Sequence, residues 1–298
     1  MPALLRDREV MSIFERELRH ATWPSVWARD RLSFEPDDNQ TSFLDCTEPD
    51  ELLLWCRQSG KTECCGIKIS HFALYHPGTL QLIVSASQRQ STIVQKRVMG
   101  CMQRLNLPVR TQVLREIDLP EDYLDPDSRI VRCSVLQMTL ANGSEVISVP
   151  ASPDTVRGYS PDAIYVDEAA RVADDVHQAI SPMRASKPVS LTMASTAAWK
   201  MGRYYEVWTG DDPAWWKSEV TAAQCPRIPE AFLEREKRTM PERYFRQEYF
   251  CEFQELVNSV FPSWMIDSIF TSEVKPLFTR KGGLDSSVHP LGILKDIK

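Results

Sequence analysis

The sequence predicts an α/β protein in which a parallel sheet carries helices on both faces. Short apolar runs, such as 52–55 and 80–84, have the length of strands and alternate with helical stretches, which is typical of parallel strands buried on both sides. Of the 298 residues, 43% are hydrophobic and 26% are charged, enough apolar mass for a sizeable core. This composition excludes disorder, collagen-like repeats and coiled coil as the main organisation, and the apolar runs are too short for membrane helices.

The predicted strands are apolar runs bounded by polar or turn-forming residues, and in chain order they cover 51–55, 80–85, 131–140, 145–149, 163–166 and 189–194. The predicted helices cover 61–75, 88–105, 172–184 and 229–250, the last as two helices joined near Met240-Pro241. His76-Pro77-Gly78 ends the first helix, because proline and glycine do not continue one. Asn142-Gly143 lies between the third and fourth strands and indicates a hairpin.

The end of the chain has a weaker pattern. We expect a linker at 257–262, a helix near 264–270 and a strand near Gly283. Trp215-Trp216 is interpreted as core or lid packing rather than as a platform on which bases stack.

A phosphate-binding loop follows the first predicted strand. Gln58-Ser59-Gly60 lead into Lys61-Thr62, which open a helix, so backbone N–H groups and the helix N-terminus supply positive potential for phosphates. Lys61 is expected to reach the β- and γ-phosphates, and the Thr62 hydroxyl to bind Mg²⁺. Trp55 replaces the first glycine of the usual motif, and an ordinary helix start is the alternative. The apolar strand before the loop favours phosphate binding, and Arg57 adds a positive charge.

Two carboxylates end the strand at 163–166. Asp167 and Glu168 are expected at the carboxyl edge of the sheet, where α/β proteins bind ligands. Asp167 would hold Mg²⁺ through its water shell, and Glu168 would act as general base on the attacking water. The pattern alone is a common strand ending, and the phosphate loop upstream favours the catalytic interpretation.

Small hydroxyl residues follow the last predicted strand of this series. Ser195 and Thr196 come directly after 189–194, where they could sense the γ-phosphate. The alternative is a simple strand-to-loop turn.

With these residues in place, residues 30–265 resemble the large terminase subunit of tailed double-stranded DNA phages, the ATPase of the genome-packaging motor. Residues 57–62 look like the family's deviant phosphate loop, 166–169 like its second nucleotide motif and 195–197 like its coupling motif. Gln40, after Phe34-Glu35-Pro36, resembles the adenine-contacting element, although Asn39 stands where an aromatic residue is common.

Two further segments are more diagnostic of this family. Residues 154–160 look like its Arg-Gly element, and 245–253 with Val260-Phe261-Pro262 are similar to the passage from the ATPase lid toward a second domain. The resemblance implies that Arg157 is an arginine finger reaching a neighbouring subunit and that Arg57 senses phosphate within its own subunit. For Arg157 the alternative is a surface loop arginine.

The resemblance also implies the architecture. It indicates a P-loop NTPase fold of the ASCE type with a small helical lid over 1–256, followed at 257–298 by a linker and a truncated start of a ribonuclease-H-like nuclease domain. Asp285 is the candidate first nuclease carboxylate. Two-metal hydrolysis needs acids gathered from several strands, so we expect no nuclease activity from this chain, whether it is an excised ATPase unit or a truncated gene product.

The implied cofactors are ATP and Mg²⁺. The implied partners are double-stranded DNA bound without sequence specificity, a portal ring, a small terminase subunit and further copies of the chain in a ring, without a membrane, in the host bacterial cytoplasm. The net charge of −6 does not indicate nucleic-acid binding, so DNA would need a local patch. Arg89, Lys96, Arg97 and Arg104 fall on one predicted helix face, for which an ordinary solvated face is the equal alternative. Two other functions stay open: a helicase-like P-loop NTPase, and a prophage remnant that binds nucleotide without working.

Overall fold

The computed structural model describes residues 2–86, 88–118 and 132–255. The chain divides into two units, Met1–Gln254 and Glu255–Lys298. The predicted linker, the nuclease-like segment and Asp285 lie outside the described residues.

One mixed sheet organises the first unit. Within the described residues it has eight strands, β1 Asp50–Trp55, β2 Leu80–Ser85, β3 Val109–Asp118, β4 Arg132–Leu140, β5 Glu145–Pro150, β6 Ala163–Asp167, β7 Ser190–Ser195 and β8 Trp215–Val220. Their order across the sheet is β3-β4-β5-β2-β6-β7-β1-β8. In this spatial order, every neighbouring pair from β5 across to β8 is parallel. The pairs β3 with β4 and β4 with β5 are antiparallel.

The helices lie before, between and after these strands. In chain order they are α1 Pro2–Thr22, α2 Pro24–Leu32, α3 Asp38–Leu44, α4 Lys61–Tyr75, α5 Gln88–Arg104, α6 Pro153–Val156, α7 Asp174–Ile180, α8 Gly202–Thr209, α9 Glu230–Thr239 and α10 Glu242–Phe250. Among the residues that the structure describes, no helix combines the length and the apolar character needed to cross a bilayer.

The predicted α/β class is confirmed, with differences at several elements. The helix expected at 172–184 begins only at Asp174, and its end is a 3-10 turn over Ser181–Arg184 that contains Pro182, which lacks the N–H a continuing α-helix would use. The hairpin predicted at Asn142-Gly143 is confirmed by the antiparallel pairing of β4 with β5, so the sheet is mostly rather than wholly parallel. Its strands β3 and β8 were not predicted, because β3 is mostly polar without strict alternation and β8 carries charges, so neither has a clear strand pattern.

Both faces of the sheet are covered. Leu52 and Leu54 of β1 join a core with residues of α7, α8 and α10, whereas Leu53 and Trp55 point to the other face and pack with α2, α3 and α4. On β8, Trp215 packs against the first core and Trp216 against the second, so these tryptophans pack on opposite faces of the edge strand. Packing, rather than base stacking, is therefore what their positions show.

The topology brings three chain segments to one edge of the sheet. Strand β7 lies between β1, which precedes the predicted phosphate loop, and β6, which ends at Asp167. The register pairs Leu54 with Ser195 and Asp167 with Ala194. Because the three strands are parallel, their carboxyl ends meet at the same edge.

Candidate functional site

The loop between β1 and α4 turns at two residues that have left-handed backbone conformation. Gln58 has φ 62° and Gly60 has φ 86°, and the Ser59 N–H donates to the Cys56 carbonyl at 3.4 Å. No side chain of the described residues caps the N-terminus of α4, which begins at Lys61. The first N–H groups of α4 are therefore available to an acceptor from outside the chain, and an anion is such an acceptor.

The outer side of this loop is held by Gln40 and Arg227. Gln40 is 2% exposed, and its Nε2 donates to the Ser59 carbonyl at 3.2 Å while its Oε1 accepts the Asp37 N–H at 3.2 Å. Arg227 also donates to the Ser59 carbonyl and pairs with Asp37 at 2.7 Å. A Cβ on Gly60 would lie 2.5 Å from the Gln40 Nε2, so a side chain here would displace the Gln40 amide, and the φ of 86° favours glycine.

The structure therefore places Gln40 against the loop backbone, with both halves of its amide engaged within the chain. Its expected contact with adenine stays a prediction. Arg227 was missed, because no motif surrounds it and its partners lie far away in the sequence.

Glu168 is the centre of the predicted catalytic group. It follows β6 with φ 52°, a left-handed conformation that is uncommon outside glycine and is found at functional sites. Its Oε1 lies 3.3 Å from the Lys61 Nζ. Its Oε2 accepts hydrogen bonds from Ser195 Oγ at 3.3 Å and Thr196 Oγ1 at 3.4 Å. The residues predicted from three separate motifs thus converge on one carboxylate.

The adjacent carboxyls have pKa values shifted in opposite directions. Burial raises the pKa of Asp167 to about 6, with Lys61 opposing that rise and Glu168 adding to it. Burial also acts to raise the pKa of Glu168, but the charges of Lys61 and Arg171 outweigh it and the net shift is downward. Glu168 is therefore held as a carboxylate.

A second group of charges adjoins Glu168. Arg171 donates to the Glu168 Oε2 at 2.6 Å and to the Thr196 Oγ1 at 2.9 Å. Its other guanidinium nitrogen lies 3.9 Å from Glu248 of α10, whose carboxylate also pairs with Arg57 at 3.7 Å. The Arg57 side chain is 67% exposed. The sequence motifs predicted neither Arg171 nor Glu248, although Glu248 lies inside the segment 245–253 that resembles the terminase family.

The remaining predicted residues lie apart from this group. Arg157 is 64% exposed and pairs only weakly, at 3.5 Å, with the exposed Asp154. In the proposed DNA stripe, Arg97 pairs with Glu63 at 3.1 Å and Arg104 donates to the Leu32 carbonyl at 3.5 Å, while Lys96 is exposed. Part of this stripe thus faces neighbouring helices, and the side chain of Arg89 is outside the described residues.

A phosphate loop on one parallel strand, with an Asp-Glu pair ending a strand two places away, defines the class of P-loop NTPases. Residues 52–267 match the family model for the terminase large subunit, T4likevirus-type, N-terminal. This match covers well over half of the chain, which therefore belongs to the terminase large-subunit family. The matched model describes the N-terminal part of that subunit.

Solved structures share the fold at low sequence identity. The large terminase ATPase domain of Thermus phage P74-26 is 21% identical, with a TM-score of 0.61 over 78% of this chain and 99% of that one. The HK97 bacteriophage large terminase is 18% identical, with a TM-score of 0.52 over 74% and 51% of the two chains. A large terminase from a thermophilic bacteriophage, solved in complex with ADP, is 11% identical, with a TM-score of 0.51 over 80% and 52%. This chain spans about half the length of the last two proteins.

Proposed function

We propose that this chain hydrolyses ATP with Mg²⁺ and uses the reaction to move double-stranded DNA into a viral procapsid. The observation that carries the proposal is the convergence on Glu168, where the phosphate-loop lysine and the hydroxyls at the end of β7 contact a half-buried carboxylate. The large terminase that binds ADP has the same fold, which supports a nucleotide as the ligand here. The family match favours this function over a helicase-like NTPase.

The residues present fit a magnesium nucleotide. Ser59 Oγ and Asp167 Oδ1 are buried and have no hydrogen-bond partner among the described residues. Thr62 and Asp167 would hold Mg²⁺, which in phosphate sites takes one or two protein ligands together with phosphate oxygens. When bound, the ion would neutralise phosphate charge as a Lewis acid.

Lys61 would connect phosphate binding to the base. Its ammonium contacts Glu168, and phosphate oxygens would compete for the same charge. A carboxylate that shares less of that charge is more basic, so Glu168 would accept the proton of a water more readily once Lys61 turns to the phosphates. Ser195 and Thr196, which donate to Glu168, would register this change and pass it to the loop after β7.

The assembly is proposed from family membership. We expect a ring of copies with Arg157 as the finger between neighbours, and a portal ring and a small terminase subunit as partners in the host cytoplasm. DNA would be bound through phosphates, without reading sequence. The division into an ATPase unit over 1–256 and a nuclease-like segment after it also stays a proposal.

The test is a steady-state ATPase assay of the purified chain with and without duplex DNA. We expect Glu168→Gln to keep ATP binding and to lose about 10²–10⁴-fold in kcat, because the amide accepts no proton. Glu252→Gln is the matched control, since Glu252 is exposed and pairs with Arg246. A Glu168→Gln variant as fast as wild type would place the base elsewhere.

Lys61→Ala tests nucleotide binding separately. We expect severely weakened ATP affinity by calorimetry, because the phosphates lose a charged donor. Unchanged affinity would contradict the phosphate-loop assignment. A folded wild-type chain that binds nucleotide but does not hydrolyse it would favour the inactive remnant.

A further inference from the structure

We propose that Glu248 is a positioning residue for hydrolysis, through which α10 holds Arg57 and Arg171 and, by way of Arg171, the Glu168 carboxylate. This inference rests on the proposed ATPase function and adds a residue that none of the nucleotide motifs contains.

The charges alternate in sign from α10 to the phosphate loop. Glu248 Oε2 lies 3.7 Å from Arg57, and its Oε1 lies 3.9 Å from Arg171. Arg171 in turn donates to Glu168 at 2.6 Å, and Glu168 lies 3.3 Å from Lys61. The carboxylate of Glu248 thus separates two arginines that approach the same site from different segments.

The two links at Glu248 are weaker than the link at Glu168. At 3.7 and 3.9 Å they are ion pairs beyond hydrogen-bond distance, so their attraction does not fix one geometry. The Glu248 side chain is only 17% exposed, and a carboxylate with so little access to water needs cations nearby. Without its charge the two guanidinium groups would lose the carboxylate that they share, and Arg171, still bonded to Glu168 and Thr196, would no longer be balanced from the side of α10.

The backbone of α10 is fastened at the same place. The Glu248 carbonyl accepts the Arg57 N–H at 2.8 Å, at the start of the phosphate loop. The neighbouring Gln247 donates to the Ala197 carbonyl at 3.0 Å, directly after Thr196. Helix α10 therefore touches both loops that flank Glu168, so a displacement of this helix would move Arg57 and also the segment of Thr196, to which Arg171 donates.

The test is Glu248→Gln in the full chain, with Glu252→Gln as control. The variant keeps its backbone carbonyl and the Lys61 site, so we expect kcat to fall about tenfold while KM for ATP stays within about twofold. The thermal midpoint should match that of the control, and Glu248→Asp should recover part of kcat.

A second variant tests the route through Arg171. If Glu248 acts through it, adding Glu248→Gln to Arg171→Gln should lower kcat by less than twofold, far from the product of the separate effects. Independent effects that multiply, or a Glu248→Gln chain as active as the control, would overturn the inference while leaving the ATPase function intact. An inactive wild-type chain would overturn both.

Discussion

Adjacent residues at the end of β6 occupy different electrostatic environments. Glu168 faces Lys61 and Arg171, which keep it ionised, while the Asp167 carboxyl is buried with one oxygen lacking a partner among the described residues. Neighbouring carboxyls whose pKa values are pushed apart are typical of sites that divide two roles between them. We propose that this division gives proton transfer to Glu168 and cation binding to Asp167.

The pKa of Asp167 predicts a pH-dependent cost to folding. Because its value rises from 3.8 to about 6, the folded chain binds a proton more tightly than the unfolded chain does. The free energy of unfolding therefore falls as the pH rises from the pKa of the unfolded chain to that of the folded chain. The whole loss is present above both pKa values. We expect Asp167→Asn, without nucleotide and with a chelator, to gain on the order of 2 kcal/mol in unfolding free energy at pH 7.5 and less at pH 5.

Urea unfolding at the two pH values checks this prediction. The exposed Asp211→Asn variant is the control, and it should show no comparable difference. An Asp167→Asn gain of the same size at pH 5 and pH 7.5 would contradict the assignment of the cost to charge burial.

At the scale of elements, α4 is held closely on two sides. Gly66 approaches α5 so tightly that an added Cβ would lie 2.5 Å from the Arg97 Cβ. On the side of β1, Lys68 donates to the Phe43 and Cys46 carbonyls at 2.8 and 3.0 Å and pairs with the buried Glu51. Because these contacts fix the axis of α4, they also fix the N-terminus that faces the phosphate site.

Gly66→Ala should therefore destabilise the fold. We expect a loss of about 1–3 kcal/mol from overpacking, although alanine favours the helix more than glycine does. Gly100→Ala in α5 is the matched control, because nothing lies within 4 Å of its added Cβ, and it should gain about 0.5–1 kcal/mol. Denaturant unfolding of the two variants gives the comparison, and equal effects would show that α4 and α5 can separate at little cost.

At the scale of the whole molecule, Arg157 is well placed to act outside its own chain. It follows α6, beyond the carboxyl end of β5, and the exposed Asp154 is its nearest charged partner among the described residues. A guanidinium held so loosely is free to reach a neighbour. A finger acting between subunits contributes about 10³–10⁵-fold in related phosphoryl transfer.

Mixing two inactive variants tests this role. Arg157→Ala should bind ATP normally yet lose the stimulation gained on assembly, and Glu168→Gln should be inactive by itself. Mixed rings place an intact Arg157 beside an intact Glu168, so part of the activity should return. If mixed assemblies form and no activity returns, Arg157 orders its own loop instead.

The sequence by itself determined the elements and residues whose signals are local. The apolar run at β1, the helix opening at Lys61 and the Asp167-Glu168 strand ending each lie within a few consecutive residues. Burial on both faces makes a central strand visible as a continuous apolar run, and phosphate chemistry restricts the loop to few residue types. These constraints act on consecutive residues, so they can be recognised in the sequence without knowing the three-dimensional structure.

Only the tertiary structure decided which distant groups complete the site. Arg227 reaches the Ser59 carbonyl across 168 positions, and Glu248 meets Arg171 from α10. The energy of an ion pair depends on the distance between its charges in space. The identity of these residues along the chain therefore predicts neither their partners nor where their side chains point. The edge strand β8 likewise takes its conformation from pairing with β1, because half-exposed strands have no strong pattern of their own.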